Sequence, residues 1–485
     1  MLVRHTAYYV LSLGVPGLIN LLSISIFTRM LAPEDYGQYA LVIAGTGLMN
    51  AVLFRWINLG LLRFYVANQS NREVFLSTIF AAYLVVVGLA GLLGLAGLFA
   101  VDEGSRTLLA LGLWLLWLMS FFELNKELAR SQFLPKRYGG FTLVKAILSL
   151  GVGALLVSLG FGAAGLLCGG MFGILVPLIW VFHKEWRCVR LRHVDRSILS
   201  QLLAYGLPLT AAYALGFIVS SSDRFLIGWL LDTEATGLYS VGFDLAKQSL
   251  SMGMMVVNLA AYPLAVKALE QHGVEQARAQ LKSNIVLLLV VAMPSTFGVV
   301  LLAPNIAQVF LGAMFRDAAV TLMPWIAIGA LIAGVKAYHC DLSFQLERHT
   351  QGQVWVTMVA AVVNVALNLW WIPRYGVLGA AYSNVAAYTC GIFCSLYLGR
   401  KLFVVPWPFR EIFKIVTATL CMALALVPFL ELRGGGALAL QVGCGIAVFI
   451  LAGWFLDIGG FRVKILKSGY FPPRFTPGRS KGNTA

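Results

Sequence analysis

Apolar residues occur in long uninterrupted runs along this chain, and short polar stretches separate the runs. A helix that crosses the hydrocarbon core of a bilayer needs about 20 mostly apolar residues. The pattern therefore predicts an all-α polytopic membrane protein with about fourteen transmembrane helices. The predicted spans are 6–31, 37–66, 74–100, 107–130, 138–159, 163–183, 199–231, 237–266, 281–303, 318–345, 353–372, 378–399, 411–430 and 437–457.

The composition agrees with the apolar runs and limits the choice of partners. Hydrophobic residues make up 59% of the 485 residues, and only 12% are charged, whereas a soluble domain carries about 25% charged residues. The net charge of +15 does not indicate a nucleic-acid partner, because the basic residues lie in short gaps between the runs rather than on one face. We predict contact with membrane lipids and no nucleic-acid binding.

The positions of the basic residues indicate the orientation of the chain. Of the 36 Lys and Arg residues, 26 lie at the N-terminus, in the even-numbered gaps and in the C-terminal tail, and five lie at the odd-numbered gaps. Basic loops remain in the cytoplasm, so we predict that both termini are cytoplasmic. The other five basic residues lie inside the apolar runs.

A short pattern occurs twice, 200 residues apart. LAPEDYGQYALV and LDTEATGLYSVG align so that Gly37 falls on Gly237 and Tyr39 falls on Tyr239. Two further pairs occur in the same order, at Pro16 and Pro208 and at Gly162 and Gly379. The duplication predicts two six-helix bundles related by a parallel repeat. Because glycine tolerates tight backbone reversals, we expect the paired glycines to lie in the turn itself.

This repeat and the remaining runs predict the division of the chain. We expect an N-terminal six-helix bundle at 1–184, a basic cytoplasmic linker at 185–198, a second six-helix bundle at 199–402 and two additional helices at 403–460. The segment 461–485 is basic and rich in Pro, Gly and Ser, which predicts a disordered cytoplasmic tail.

Catalytic motifs are absent from the sequence. There is no GxxxxGK[ST] loop, no grouping typical of Ser-His-Asp or Cys-His catalysis, and no spacing typical of a zinc site. The outward gaps are too short for a catalytic domain. We therefore predict a protein that is not an enzyme, with no metal site and no cofactor except a proton or sodium ion for coupling.

Charged residues inside the apolar runs are the first candidates for a functional site, because a charge in the bilayer faces a cavity or a partner. Four cations are candidates for lining a central cavity: Arg55, Arg224, Lys247 and Lys336. The alternative is that each cation pairs with a carboxylate. Asp244 and Lys247 share a helix face, whereas Lys336 and Asp341 are five residues apart, which is a poor match in an α-helix.

Acidic and amide residues in the same runs suggest two further roles. Possible sites of ion coupling are Asp223, Asp244, Asp341 and Glu123, because a carboxylate in a partly dry cavity can carry a proton or hold sodium. Ion pairing or exposure at a helix end is the alternative for each of them. Asn364 and Asn368 share a helix face and either link helices or contact sugar hydroxyls.

Several motifs in this chain resemble those of a known family. YGLPLTAAYALGFIVSSSDRFLIGWLLDTEATGLYSVGFDLA, at 205–246, and NVALNLWWIPRYGVLGAAYSN, at 364–384, are similar to segments of bacterial polysaccharide-biosynthesis flippases. RMLAPEDYGQYAL resembles the first periplasmic turn of these proteins. They form the Wzx-type branch of the MATE-like MOP transporter superfamily, and the resemblance covers roughly 1–460.

The resemblance implies a MATE/MOP-like fold, alternating access and a bacterial inner-membrane location. The implied cargo is an oligosaccharide linked to undecaprenyl diphosphate, which is moved from the inner to the outer leaflet for O-antigen, capsule or exopolysaccharide assembly. A polymerase and glycosyltransferases of the same pathway are the implied partners. A MATE-like multidrug or cation exporter and a lipid II flippase remain alternatives, although the excess of basic residues in the helices favours an anionic cargo.

Overall fold

The structure, a computed structural model, describes most of the chain. The described residues are 2–100, 103–187, 189–347, 349–460 and 462, without the side chains of 2–13, 183 and 350. All regular elements in this part are helices, which confirms the predicted all-α class. The predicted tail at 461–485 lies outside the described residues except for Arg462.

The main helices of the described part are numbered here in chain order. They are α1 (Leu2–Met30), α2 (Pro33–Phe64), α3 (Arg72–Ala100), α4 (Glu103–Ser131), α5 (Pro135–Ser158), α6 (Gly162–Glu185), α7 (Arg196–Leu230), α8 (Thr233–Phe310), α9 (Ala313–Leu346), α10 (Thr350–Tyr375), α11 (Val377–Gly399), α12 (Phe409–Leu426) and α13 (Gly435–Phe455).

Twelve of these helices, α2 to α13, are long and apolar enough in the described part to cross a membrane. Helix α1 contributes a shorter apolar segment, Gly14–Met30. Large apolar side chains such as Phe99, Leu424 and Phe455 are exposed on the outside of the bundle, as expected where hydrocarbon replaces water. The protein is therefore a multi-pass membrane protein. The count of fourteen spans is not confirmed.

Helix α8 explains much of the difference in count. Its 78 residues contain both predicted spans 237–266 and 281–303. Gly273 interrupts it with a φ of 81°, a backbone conformation that glycine adopts readily. The two arms then pack side by side, since the Asn284 side chain donates a hydrogen bond of 2.9 Å to the Ala261 carbonyl. The single element is thus a helical hairpin.

The helices form two groups and a flanking pair. Helices α1 to α6 contact one another, chiefly through α1 with α5, α5 with α6 and α2 with α4. Helices α7 to α11 form the second group, in which α9 packs on α8 and α11, and α10 packs on α7 and α11. The pair α12 and α13 packs on α8. Contacts of α2 with α7 and α8 join the two groups. The proposed domain boundaries remain a prediction.

The repeated pattern lies where the two groups meet, and the expected role of its glycines was wrong. Helix α2 begins at Pro33 and α8 begins at Thr233, so Gly37 and Gly237 lie inside helices, after the reversal. A Cβ added at Gly37 would be 1.9 Å from the Thr233 carbonyl oxygen, and one at Gly237 would be 1.9 Å from the Pro33 carbonyl oxygen. The two glycines therefore permit a close, nearly symmetric helix crossing between the halves.

A second crossing lies at the same end of the molecule, which we call the repeat-turn end. The Gly312 amide donates a hydrogen bond of 3.1 Å to the Thr28 hydroxyl, and a Cβ at Gly312 would be 1.9 Å from the Thr28 carbonyl oxygen. Arg29 donates to the Val309 carbonyl at 2.6 Å. These contacts fasten the end of α1 to the ends of α8 and α9. The repeat-turn end is closed in this conformation.

The opposite end, which we call the linker end, contains the predicted linker 185–198. Glu185 accepts hydrogen bonds of 2.5 Å from Arg72 and Arg137 and one of 3.1 Å from Gln132. Burial acts to raise the pKa of the Glu185 carboxyl, but these hydrogen bonds and the two arginine charges outweigh it and hold the pKa below its ordinary value. The linker is therefore fastened to the first group of helices where it begins.

Candidate functional site

A buried carboxylate lies at the centre of the second group of helices. Asp223 on α7 is 1% exposed and accepts hydrogen bonds from Tyr239 at 2.7 Å and from Asn368 at 2.6 Å. Asn384 on α11 also donates to it. All three donors are neutral, and no ion pair to Asp223 occurs among the described residues. Four helices therefore converge on one negative charge that has no cationic partner in contact.

The predicted asparagine pair belongs to this cluster, which we call the Asp223 cluster. Asn364 and Asn368 are both fully buried. Asn368 donates to Asn364 at 3.2 Å, and Ser222 donates to Asn364 at 3.0 Å. In this conformation the pair links α7 and α10 and is closed to sugar hydroxyls. Buried side-chain atoms of Asn364, Asn368 and Asn384 still lack hydrogen-bond partners in the described part.

Sequence reasoning missed two members of the Asp223 cluster, although both lie in motifs that it quoted. Tyr239 is the last position that is identical in the two copies of the repeated pattern, and its hydroxyl donates a hydrogen bond to Asp223. Its counterpart, Tyr39, instead packs edge-on against Tyr36, with ring centres 5.8 Å apart. Asn384 ends the quoted segment 364–384. The two matching tyrosines of the repeat, Tyr39 and Tyr239, therefore make different contacts.

The other three predicted acids each contact a cation. Asp244 pairs with Arg224 at 2.5 Å, and its side chain is 41% exposed. Asp341 pairs with Lys336 at 2.8 Å and is buried. Glu123 pairs with Lys126 at 2.9 Å. Asp223 therefore differs from the other candidates for ion coupling in having only neutral partners in contact.

A local change of helix type explains how Lys336 reaches Asp341. Residues Lys336–Cys340 form a π-helical turn, in which residues five apart are hydrogen-bonded. The Asp341 amide accordingly donates to the Lys336 carbonyl at 2.9 Å, which brings the two side chains to one face. The Asp341 carboxylate also accepts a hydrogen bond of 2.8 Å from Ser395.

Breaking this buried pair from one side is expected to destabilise the protein strongly. Lys336→Met leaves the Asp341 carboxylate buried without its ionic partner, at an expected cost of about 3–5 kcal/mol. The double variant Lys336→Met/Asp341→Leu is expected to recover part of this loss, because neither charge then remains unpaired. Thermal unfolding of the purified protein measures both. A single variant as stable as the parent would contradict the buried ion pair.

Two adjoining cavities occur near the centre of the molecule. One lies inside the second group of helices, and the other lies between the two groups. The smaller, which we call the lysine cavity, has a volume of about 300 Å³ and is lined by Lys247, Lys336, Ser251 and Asn384 among others. The larger, which we call the amide cavity, has a volume of about 930 Å³. Its polar lining consists of Asn50, Arg55, Tyr213, Ser220, Gln345, Gln351, Gln353 and Thr357. Both are lined by Gly216 and Thr357.

The structure thus separates the four predicted cavity cations. Arg55 lines the amide cavity, and Lys247 and Lys336 line the lysine cavity. Arg224 is in neither lining and instead bonds to Asp244 and to the Ser240 hydroxyl at 3.1 Å. No Asp or Glu occurs among the described residues that line the two cavities.

Two of the cavity cations, Arg55 and Lys247, make cation–π contacts with aromatic rings. The Arg55 guanidinium lies 4.3 Å from the ring centre of Tyr213, and the Lys247 ammonium lies 4.5 Å from that of Phe243. Such contacts favour a cation by about 0.5–2 kcal/mol without neutralising its charge. A second π-helical turn, Asn50–Phe54, directly precedes Arg55. π-helical turns are frequent at functional sites, and here each of the two lies beside a cavity cation.

Comparison with known proteins identifies the family of the chain. The sequence profile of the family described as "Polysaccharide biosynthesis protein" matches residues 26–320, which is more than half of the chain. The chain belongs to this family. The matched part runs from the end of α1 into α9 and includes Arg55, the Asp223 cluster's Asp223 and Tyr239, and Lys247.

Two similar proteins have described functions. The probable low-salt glycan biosynthesis flippase Agl15 of Haloferax volcanii is 21% identical over 309 residues, which are 63% of this chain and 63% of Agl15. The amylovoran biosynthesis protein AmsL of Erwinia amylovora is 25% identical over 238 residues, which are 48% of this chain and 58% of AmsL. The matches cover less than two thirds of either relative. The protein thus belongs to a polysaccharide-biosynthesis family and is similar to one probable flippase and to one amylovoran biosynthesis protein.

Solved structures establish the fold. An inward closed conformation of the lipid II flippase MurJ matches with a TM-score of 0.78 and 13% identity, covering 94% of this chain and 99% of MurJ. An outward-facing MATE multidrug transporter of the MOP superfamily matches with a TM-score of 0.56 and 17% identity, covering 82% of this chain and 94% of that transporter. The fold is therefore MATE/MOP-like.

Proposed function

We propose that the protein flips an oligosaccharide linked to undecaprenyl diphosphate from the inner to the outer leaflet of a bacterial inner membrane, for assembly of a surface or extracellular polysaccharide. The observation that carries this proposal is the pair of adjoining cavities with Arg55, Lys247 and Lys336 in their linings and no described carboxylate. A diphosphate is a strong acceptor of hydrogen bonds from guanidinium and ammonium groups. The flipped lipid would pass to a polymerase of the same pathway.

The closed repeat-turn end supports loading from the opposite side. Gly37 and Gly237 bring the two halves into contact there, whereas the amide cavity extends to the exposed Gln351 at the start of α10, at the linker end. We propose that the linker end faces the cytoplasm, together with both termini, as the basic loops predict. Alternating access would then open the repeat-turn end to the outer leaflet.

We propose that Asp223 is the site where ion coupling acts. A buried carboxylate without a cationic partner is costly, so binding of a proton or a sodium ion there would be favourable. The unpartnered amide oxygens of Asn368 and Asn384 belong to the same cluster, and oxygen atoms are the ligands that hard cations prefer. These residues fit a small cation, and cation binding would change the contacts between α7, α8, α10 and α11.

The alternative of a multidrug or cation exporter fits the cavities less well. Organic cations favour aromatic and acidic linings, whereas the described linings of these cavities contain three basic and no acidic residues. A lipid II flippase has the same demand for diphosphate binding, so the cargo lipid that accumulates when the protein is missing separates these two functions.

A deletion strain with matched variants tests the proposal. Loss of the protein is expected to stop polysaccharide export and to leave lipid-linked oligosaccharide in the membrane. Lys247→Gln is expected to lower export at least about tenfold at normal abundance, as expected for one lost charge-assisted contact. Lys267→Gln, an exposed cation on the same helix, is the control and is expected to export normally. Altered drug resistance with normal export would contradict the proposal.

A further inference from the structure

The two cavities differ in chemistry as well as in size. The lysine cavity contains two ammonium groups and one side-chain amide, whereas the amide cavity is about three times larger and has four side-chain amides. Amides donate and accept hydrogen bonds at once, which suits the hydroxyl groups of sugars. The larger cavity therefore has the character of a glycan-binding pocket, and the smaller one that of an anion-binding pocket.

Binding of neutral sugars does not require a charged side chain, yet Arg55 lines the amide cavity. It pairs with no carboxylate in the described part of the chain, and its buried Nε has no hydrogen-bond partner there. The buried side-chain oxygen of Asn50, one turn before it, is also without a partner. Leaving a buried polar atom unsatisfied costs about 1–3 kcal/mol, so a ligand that satisfies Arg55 would bind with a clear advantage.

The geometry at Arg55 selects among anions. The guanidinium lies over the ring of Tyr213, and it is in no ion pair with a described carboxylate that would occupy its N–H donors. A planar fork of N–H donors matches a carboxylate in two parallel hydrogen bonds, whereas an ammonium is a point charge without such a preference. The diphosphate has its own cations in the adjoining cavity, where Lys336 gives one N–H to Asp341 and keeps its others for a ligand.

We infer that the cargo is an acidic oligosaccharide, in which a sugar carboxylate binds Arg55 in the amide cavity while the diphosphate lies in the lysine cavity. This inference rests on the proposed function and adds a substrate class to it. It makes Arg55 a residue that determines specificity, and it makes Lys247 and Lys336 residues that bind the part common to all such lipids.

Binding of two matched lipids to the full-length protein in detergent tests this assignment. The probes are a short polyprenyl diphosphate that carries glucose and the same lipid that carries glucuronate, which differ only in one carboxylate. The parent protein is expected to bind the glucuronate lipid at least about tenfold more tightly, as one charge-assisted pair implies. Arg55→Gln is expected to abolish this difference by weakening the binding of the glucuronate lipid.

Two further variants sharpen the comparison. Lys247→Gln is expected to weaken both lipids by the same factor, and Arg63→Gln, an exposed cation on the same helix as Arg55, is expected to change neither. Equal binding of both lipids by the parent would overturn the acidic cargo and leave the flippase function standing. An Arg55→Gln variant that loses both lipids alike would make Arg55 a diphosphate ligand instead. Binding of neither lipid by the parent would overturn both proposals.

Discussion

Gly37→Ala is expected to prevent closure of the repeat-turn end. The new methyl group would lie 1.9 Å from the Thr233 carbonyl oxygen, so the two helices would have to separate by more than about 1 Å to restore van der Waals contact. Overpacking costs about 1–3 kcal/mol when side chains can adjust, and here the obstacle is backbone. Gly237→Ala meets the Pro33 carbonyl in the same way and is expected to have the same effect.

Thermal unfolding and amide hydrogen exchange at the starts of α2 and α8 measure this effect. Both variants are expected to unfold at lower temperature and to exchange faster at these positions. Gly88→Ala is the control, because a Cβ at this glycine meets nothing within 4 Å. Gly37→Ala with the stability and the exchange of Gly88→Ala would show that the crossing between the halves does not hold the end closed.

Asp223→Asn is expected to abolish transport without preventing the protein from folding. The substitution keeps the size of the side chain but removes the negative charge and replaces one acceptor by a donor, so at least one of Tyr239, Asn368 and Asn384 loses its partner. One unsatisfied buried group costs about 1–3 kcal/mol, which lowers stability without unfolding the bundle. Transport is expected to fall at least about a hundredfold, because a coupling carboxylate without charge cannot hold a cation.

Asp244→Asn is the matched control for this prediction. Asp244 is half-exposed, but its partner Arg224 is mostly buried, so Asp244→Asn leaves the Arg224 charge without its ionic partner and is expected to cost some stability. Because Asp244 already has a cationic partner, its loss is expected to leave the response of transport to an ion gradient unchanged. Transport is measured with and without a proton or sodium gradient. An Asp223→Asn variant that still responds to the gradient would remove Asp223 from the coupling mechanism.

Local sequence patterns, namely the apolar runs and the repeated turn, predicted the fold well. The long apolar runs predicted an all-helical membrane protein, because apolar length alone decides whether a helix suits a bilayer. The repeated turn pointed to the place where the halves meet. It did not indicate that each of Gly37 and Gly237 contacts the helix of the other, because a local sequence pattern does not show which helices pack together. The hairpin within α8 agrees with the two predicted spans 237–266 and 281–303, and Gly273 provides the reversal between them.

The candidate site was predicted less completely, for physical reasons. Lys336 and Asp341 looked poorly matched because an α-helical register was assumed, and the π-helical turn brings them together. Arg224 was grouped with the cavity cations, but its direction depends on Asp244 on another helix. The split into a lysine cavity and an amide cavity depends on residues from seven helices, and no local pattern encodes it. Composition could indicate only an excess of basic residues.

The most direct test of the central claim is flipping by the purified protein in liposomes. A fluorescent undecaprenyl-diphosphate-linked oligosaccharide is placed in the membrane, and its exposure on the far leaflet is followed with an impermeant quencher. The parent protein is expected to move the lipid across, and the double variant Arg55→Gln/Lys247→Gln is expected to move it no faster than empty liposomes. Equal flipping by the parent and the double variant would contradict a cationic cavity as the path of the diphosphate.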